Sequence, residues 1–145
     1  LTKNKDQFKM FVCDTGLFIT LAFWDKSFTE NIIYEKLLAD KLPANLGYVY
    51  ENLVSQMLVA AGNELFYHTW PRDEKHYYET DFLLSRGAKI CPIEVKSSSN
   101  KSHASLDEFC RIYSARILWR NMAYTKDFAK DLETIMLPAY MVPFL

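Results

Sequence analysis

Residues 91–102 read CPIEVKSSSNKS, and the reading of this stretch decides the fold. A short apolar run carries Glu94 and Lys96 two residues apart, then breaks into small polar residues. In a strand, residues two apart share a face, so Glu94 and Lys96 point one way while Ile93 and Val95 point the other. Upstream, ELFYHTW (64–70), HYYETDFLLS (76–85) and AKICPIEVKS (88–97) are β-branched or aromatic runs separated by PRDEK and RG. Both separators are turn chemistry, so the three runs predict an antiparallel meander.

The neighbouring segments change period. NLGYVYENLVSQMLVAAG (45–62) predicts a helix with Val49, Leu53, Met57 and Ala60 as its apolar stripe, Asn52 and Gln56 off that stripe, and Gly62 as its stop. SLDEFCRIYSAR (105–116) predicts a second helix with Leu106, Phe109 and Ile112 on one face. RILWRNM (116–122) follows as a fourth strand, and the apolar tail IMLPAYMVPFL (135–145) closes the chain. The expected order from residue 47 is therefore αβββαβ, an α/β fold with a mixed central sheet flanked by helices. At the other end, FKMFVCDTGLF (8–18) predicts a strand from Lys9 to Cys13, with Gly16 in the turn and a short helix toward Phe23 capped by Asp14 or Thr15. TENIIYEKLLADKL (29–42) predicts a helix with Ile32, Ile33, Leu37 and Leu38 on one face, ended by Pro43. The chain reads as one domain in two parts: residues 1–46 lead into a core of residues 47–145 with its C-terminal tail.

Composition bounds the function. The 145 residues are the length of one ordinary domain, half apolar and 15% aromatic, unlike a disordered chain. The net charge of −1 argues against a strongly basic nucleic-acid binder and leaves only a local patch open. Cys13, Cys91 and Cys110 show no CxxC spacing and sit in apolar sequence, which predicts reduced core cysteines. No signal peptide is expected, and no apolar run comes near the roughly 18 residues a membrane span needs. The expectation is a cytoplasmic protein without a membrane partner. The chain starts on Leu1 rather than methionine, and is expected to be a piece of a longer protein.

Asp81 is out of place in the aromatic run YYETDFLL. By strand alternation it shares a face with Glu79 and Leu83, opposite Phe82. A hairpin around Arg86-Gly87 brings positions near 81 and 93 opposite one another, with Asp81 and Glu94 about 5–8 Å apart at Cβ. Two carboxylates at about 5 Å repel by roughly 3 kcal/mol at an effective dielectric of about 20. That repulsion calls for a raised pKa, a cation from the protein such as Lys96, or a metal ion. Mg²⁺ or Mn²⁺ suits two carboxylates and a backbone carbonyl of Ile93 or Val95, with Lys96 beside an attacking water on a phosphodiester. The plain alternative is an acid and a lysine on a solvated strand face. Glu51, on the polar flank of the strong helix, is a further candidate acid, with a solvated helix surface as its plain reading.

Glu51 in a helix, Asp81 in one strand and Glu94-x-Lys96 in the next resemble the core of the PD-(D/E)XK nuclease superfamily. FVCDTGLF, YVYENLVSQML, YETDFLL and PIEVKSS look like consecutive signatures of the C-terminal domain of unknown function in prokaryotic AAA-type ATPases. LPAYMVPFL fits that pattern as well, so the likeness covers most of the chain. The acid lies in ETDF rather than directly after a proline, which departs from the superfamily pattern. The resemblance implies a restriction-endonuclease-like core with Asp81, Glu94 and Lys96 as the metal and catalytic group and Glu51 as auxiliary acid. It also implies an ATPase domain preceding this chain, which itself lacks a G-x-x-x-x-G-K-S/T phosphate loop.

Other polar residues are read as structural. His68, His76 and His103 lack zinc-ligand spacing, the aromatic runs are strand core rather than base-stacking platforms, and Arg111, Arg116, Arg120, Lys101 and Lys126 are a dispersed solvated set. Two functions fit: a Mg²⁺- or Mn²⁺-dependent phosphodiesterase acting on DNA, or a non-catalytic nuclease-like module that binds nucleic acid or protein and regulates the ATPase.

Overall fold

The computed structural model describes residues 8–24, 35, 46–97 and 103–145. The expected helix over 29–42 lies outside the described residues, apart from Glu35.

Phe8–Asp14 forms no strand, contrary to the expectation for Lys9–Cys13, and bends at Cys13. A side chain takes the place of a neighbouring strand. Asn52 Oδ1 accepts from the Val12 N–H at 2.8 Å, and its Nδ2 donates to the Val12 carbonyl at 3.0 Å and to Thr15 Oγ1 at 3.1 Å. The amide thus mimics the peptide of a sheet partner and satisfies a segment that has no ladder. The chain then enters helix α1 (Thr15–Ala22) through Asp14, whose Oδ1 accepts from the Leu17 N–H at 2.7 Å. Thr15, the other expected cap, donates instead from its N–H and Oγ1 to Gln56 Oε1.

Helix α2 (Leu46–Ala60) ends where expected. Gly62 has φ 82°, and the Asn63 and Gly62 N–H groups return to the Leu58 and Val59 carbonyls in a Schellman arrangement. Its buried face differs from the expected stripe: Val49, Asn52, Val54, Ser55 and Leu58 are buried, whereas Ala60 is exposed. Asn52, read as off the stripe, is only 2% exposed because the Phe8–Asp14 segment covers it.

The meander is present as β1 (Phe66–Pro71), β2 (Tyr77–Arg86) and β3 (Lys89–Val95), paired antiparallel. Arg86 pairs with Lys89 across Gly87-Ala88, and Gly87 supplies the φ of 65° that the first position of a tight hairpin turn demands. Helix α3 (Ala104–Ile112) and a 3-10 turn (Ser114–Arg116) carry the chain over to β4 (Arg120–Tyr124), parallel to β3. Ile112, expected on the buried face of α3, is exposed, and Cys110 is buried with Leu106 and Phe109. The tail forms β6 (Thr134–Pro138), parallel to β4, and a 3-10 segment (Ala139–Phe144). A short edge strand, β5 (Ala129–Asp131), pairs antiparallel with β6 and was not expected. Among the described residues the result is a mixed α/β fold with a six-stranded sheet ordered β1-β2-β3-β4-β6-β5.

Val54 and Leu58 of α2 pack on Phe82, Leu84, Cys91, Ile93, Val95, Ala123 and Leu137, with Val142 closing the cluster. Phe109 of α3 meets His68, Trp70 and Tyr113, so the aromatic runs serve mainly as packing. Cys91 and Cys110 are buried free thiols as expected; Cys13 is free but exposed, since its segment lies on the surface of α2. Among the described residues no helix is long and apolar enough to cross a membrane.

Replacing Asn52 by leucine leaves the half-buried Val12 N–H and carbonyl without these partners. The expected cost in urea unfolding is about 2–4 kcal/mol. A loss below about 0.5 kcal/mol would show that Asn52 does not hold the segment.

Candidate functional site

The site is built where β2 changes its pairing. Phe66 pairs with Leu83 but His68 with Thr80, so Asp81 and Phe82 together face Tyr67 across a β-bulge. Bulges re-aim side chains, and here strict alternation fails. Phe82 packs in a tilted pair on Phe11 at 5.5 Å between ring centroids while Asp81 reaches Lys9 of the same segment. The expectation that Asp81 and Phe82 face opposite ways is therefore corrected, and the bulge is the reason.

Toward β3 the register is regular, with Phe82 opposite Ile93. One step further along it, Asp81 faces Glu94. The ladder ends there, and Asp81 Oδ2 accepts the Val95 N–H at 2.8 Å in its place. Glu94 is 6% exposed; its Oε1 accepts from Lys96 Nζ at 2.7 Å, while its buried Oε2 has no hydrogen-bond partner among the described residues. The Lys96 backbone is held by its N–H bond to the Ala123 carbonyl of β4, and its side chain is 28% exposed. The strand end thus fixes a buried acid and a half-buried base side by side.

Glu51 of α2 and Glu79 of β2 complete the cluster. One carboxylate oxygen from each of Glu51, Glu79 and Asp81 lies within 4.8 Å of the others, a spacing suited to a metal ion. Lys9 stands among them: its Nζ is 3.2 Å from Glu51 Oε2, 3.5 Å from Asp81 Oδ1, and in ion-pair contact with Glu79. The structure therefore brings Asp81, Glu94, Lys96 and Glu51 to one end of the sheet, as the sequence predicts. It differs in the details. The tight carboxylate trio contains Glu79 rather than Glu94, and the cation beside Asp81 is Lys9, with Lys96 serving Glu94 alone. Glu79 had a sequence signal, its i−2 spacing from Asp81. Lys9 had none, because it depends on the clasp between Asn52 and Val12.

The electrostatics follow from this crowding. Burial, then the charges of Glu94 and Glu51, push the Asp81 carboxyl up to about 7, against the opposing Val95 N–H bond and Lys9. Burial raises Glu94 as well, with Lys96 working against it and Glu51 and Glu79 adding to it. Lys9 is held charged: burial opposes the ammonium, but its bond to Glu79 and the charges of Asp81 and Glu51 outweigh that cost.

The remaining polar residues are engaged elsewhere. His76 and His103 pair with Asp73 and Asp107, and His68 lies in the aromatic packing. Arg111 pairs with Glu108, and Arg120 with Asp107 and Thr134. Arg116 and Lys126 are exposed, and Lys101 lies outside the described residues. No shared phosphate-facing patch forms among the described arginines and lysines.

A family model described as a domain of unknown function, DUF4143, matches residues 46–140. The chain belongs to this family. No curated protein and no solved structure matches it. The DUF4143 match begins at the first residue of α2 and includes Glu51, Glu79, Asp81, Glu94 and Lys96; Lys9 lies before it.

Between its ordinary value of 3.8 and about 7, the folded chain keeps a proton on Asp81 that the unfolded chain has released. Stability therefore falls as pH rises through that window. Asp81→Asn keeps an acceptor for the Val95 N–H and removes the slope. From about pH 5 to about pH 8 the wild type is expected to lose about 2 kcal/mol of unfolding free energy relative to Asp81→Asn. Parallel stability curves in urea would contradict the placement of Asp81 among other buried acids.

Proposed function

We propose that this DUF4143 domain is a metal-dependent phosphodiesterase acting on DNA. The observation that carries the reading is the Glu94 carboxylate: buried, paired on one oxygen with Lys96, and on the other, beside further acids, without a hydrogen-bond partner among the described residues. A buried unsatisfied carboxylate oxygen is costly, and a hard cation is the partner that best offsets it. The donor set is all carboxylate, with no cysteine or histidine among the grouped residues, which fits Mg²⁺ or Mn²⁺. Asp81 and Glu51 would hold the ion, with Glu79 and Glu94 as the further carboxylates beside it. When bound, such an ion supplies Lewis acidity to a phosphoryl oxygen.

The protein's own groups divide the remaining work. Asp81 is fixed by the Val95 N–H, so its free oxygen is aimed without further ordering cost. Lys96, charged and partly exposed beside Glu94, orients an attacking water and stabilises negative charge developing on the phosphate. The order of helix, three strands, helix and strand, with β3 and β4 parallel, supports a restriction-endonuclease-like core. The likeness to AAA-ATPase C-terminal domains supports an ATPase as the attached partner and a cytoplasmic setting.

A second reading has its own observation. Lys9 already neutralises part of the acidic trio, as it would in a non-catalytic module that retains the fold to bind DNA or protein and regulate the ATPase. Glu94→Gln separates the two, since it keeps the side chain's shape while removing its charge. For a phosphodiesterase, Mn²⁺-dependent cleavage of DNA should drop by about 10²-fold or more, with unfolding free energy held within about 1 kcal/mol. Wild-type protein that neither cleaves nor binds Mn²⁺ at millimolar concentration would favour the binding module.

A further inference from the structure

The position of Lys9 has a consequence for any cation that enters the site. Its ammonium touches Glu51, Glu79 and Asp81 together, and these are the same three side chains whose oxygens lie at metal-holding spacing. Close enough to interact electrostatically with them is Glu94, whose buried Oε2 has no hydrogen-bond partner among the described residues, a group that a cation would satisfy. An ammonium nitrogen lying within 3.5 Å of two of these carboxylates, and in contact with the third, fills the space a metal ion would take.

We infer that Lys9 is a tethered counter-cation that competes with a divalent metal ion, so that metal entry among Glu51, Glu79 and Asp81 requires the Lys9 ammonium to leave. The inference rests on the metal reading proposed above and adds its regulation. The architecture around Lys9 permits the exchange. On the C-terminal side of Lys9 the segment is anchored by the Asn52 clasp on Val12 and by Phe11 against Phe82. The flanking Phe8 and Met10 are exposed. The Lys9 side chain, which also lies over the Tyr67 ring of β1, can therefore swing out while the Asn52 clasp stays in place. Four acids face two lysines here, so departure of Lys9 leaves an excess of negative charge that a divalent ion restores.

The test is Mn²⁺ titration by calorimetry on the 145-residue chain and on Lys9→Met, which keeps length and loses charge. The variant should bind Mn²⁺ tighter by about tenfold or more. If the wild type binds and a folded Lys9→Met binds no more tightly, the inference fails and the metal reading stands. Binding by neither overturns both. Should Lys9→Met fail to fold, the side-chain ammonium signal of Lys9 can be followed by NMR in the wild type during Mg²⁺ addition. A signal that leaves its buried position as Mg²⁺ binds supports competition; one unmoved at saturation overturns it.

Discussion

The hydrogen bond from the Val95 N–H to Asp81 Oδ2 is the contact on which the site depends. It closes the β2–β3 pairing where the ladder runs out, and it does so with a carboxylate instead of a carbonyl. Two results follow from the one bond. The strand end is satisfied without further backbone pairing on that side, and an acid is fixed beside Glu94 in a poorly solvated setting. A neutral acceptor would stabilise the strand equally well. The charge is thus an added cost, and the sheet bears it at the position where β3 delivers both Glu94 and Lys96.

Neutralisation of that charge organises the neighbouring elements. Lys96 is held against β4 by its own backbone and answers Glu94; Lys9 is brought in from the N-terminal segment and answers Asp81, Glu51 and Glu79. The N-terminal segment reaches this place because a buried asparagine imitates a strand. Asn52 spends both ends of its amide on Val12, which fixes Lys9 three residues away. Buried polar contacts of this kind specify one arrangement, because an alternative docking leaves the amide unpaired.

How much of this was legible follows from range. The β2–β3 hairpin and the proximity of Asp81 to Glu94 could be read because they rest on a local signal: two alternating runs joined by Arg86-Gly87. The bulge at Asp81-Phe82 was hidden, since an extra residue on one strand leaves no mark in an alternation already blurred by burial on both faces. The stripe on α2 was misplaced because apolar periodicity ignores buried amides; Asn52 and Ser55 are as deep as Val54 and Leu58. The segment at Lys9 looked like a strand because its residues suit extended backbone, and only the three-dimensional structure shows which partner satisfies it. Glu51 was legible from the polar flank of its helix and Glu79 from its i−2 spacing to Asp81, whereas Lys9 needed the geometry itself.

The central claim is that these buried carboxylates converge on one cation position, and a crystal structure of the chain grown with Mn²⁺ tests it most directly. An anomalous peak is expected within about 2–2.5 Å of oxygens from Asp81 and at least one of Glu51, Glu79 and Glu94, with the Lys9 ammonium displaced from the acids. Absence of a peak at millimolar Mn²⁺, with Lys9 in place and Glu94 Oε2 hydrogen-bonded to water or protein, would contradict it.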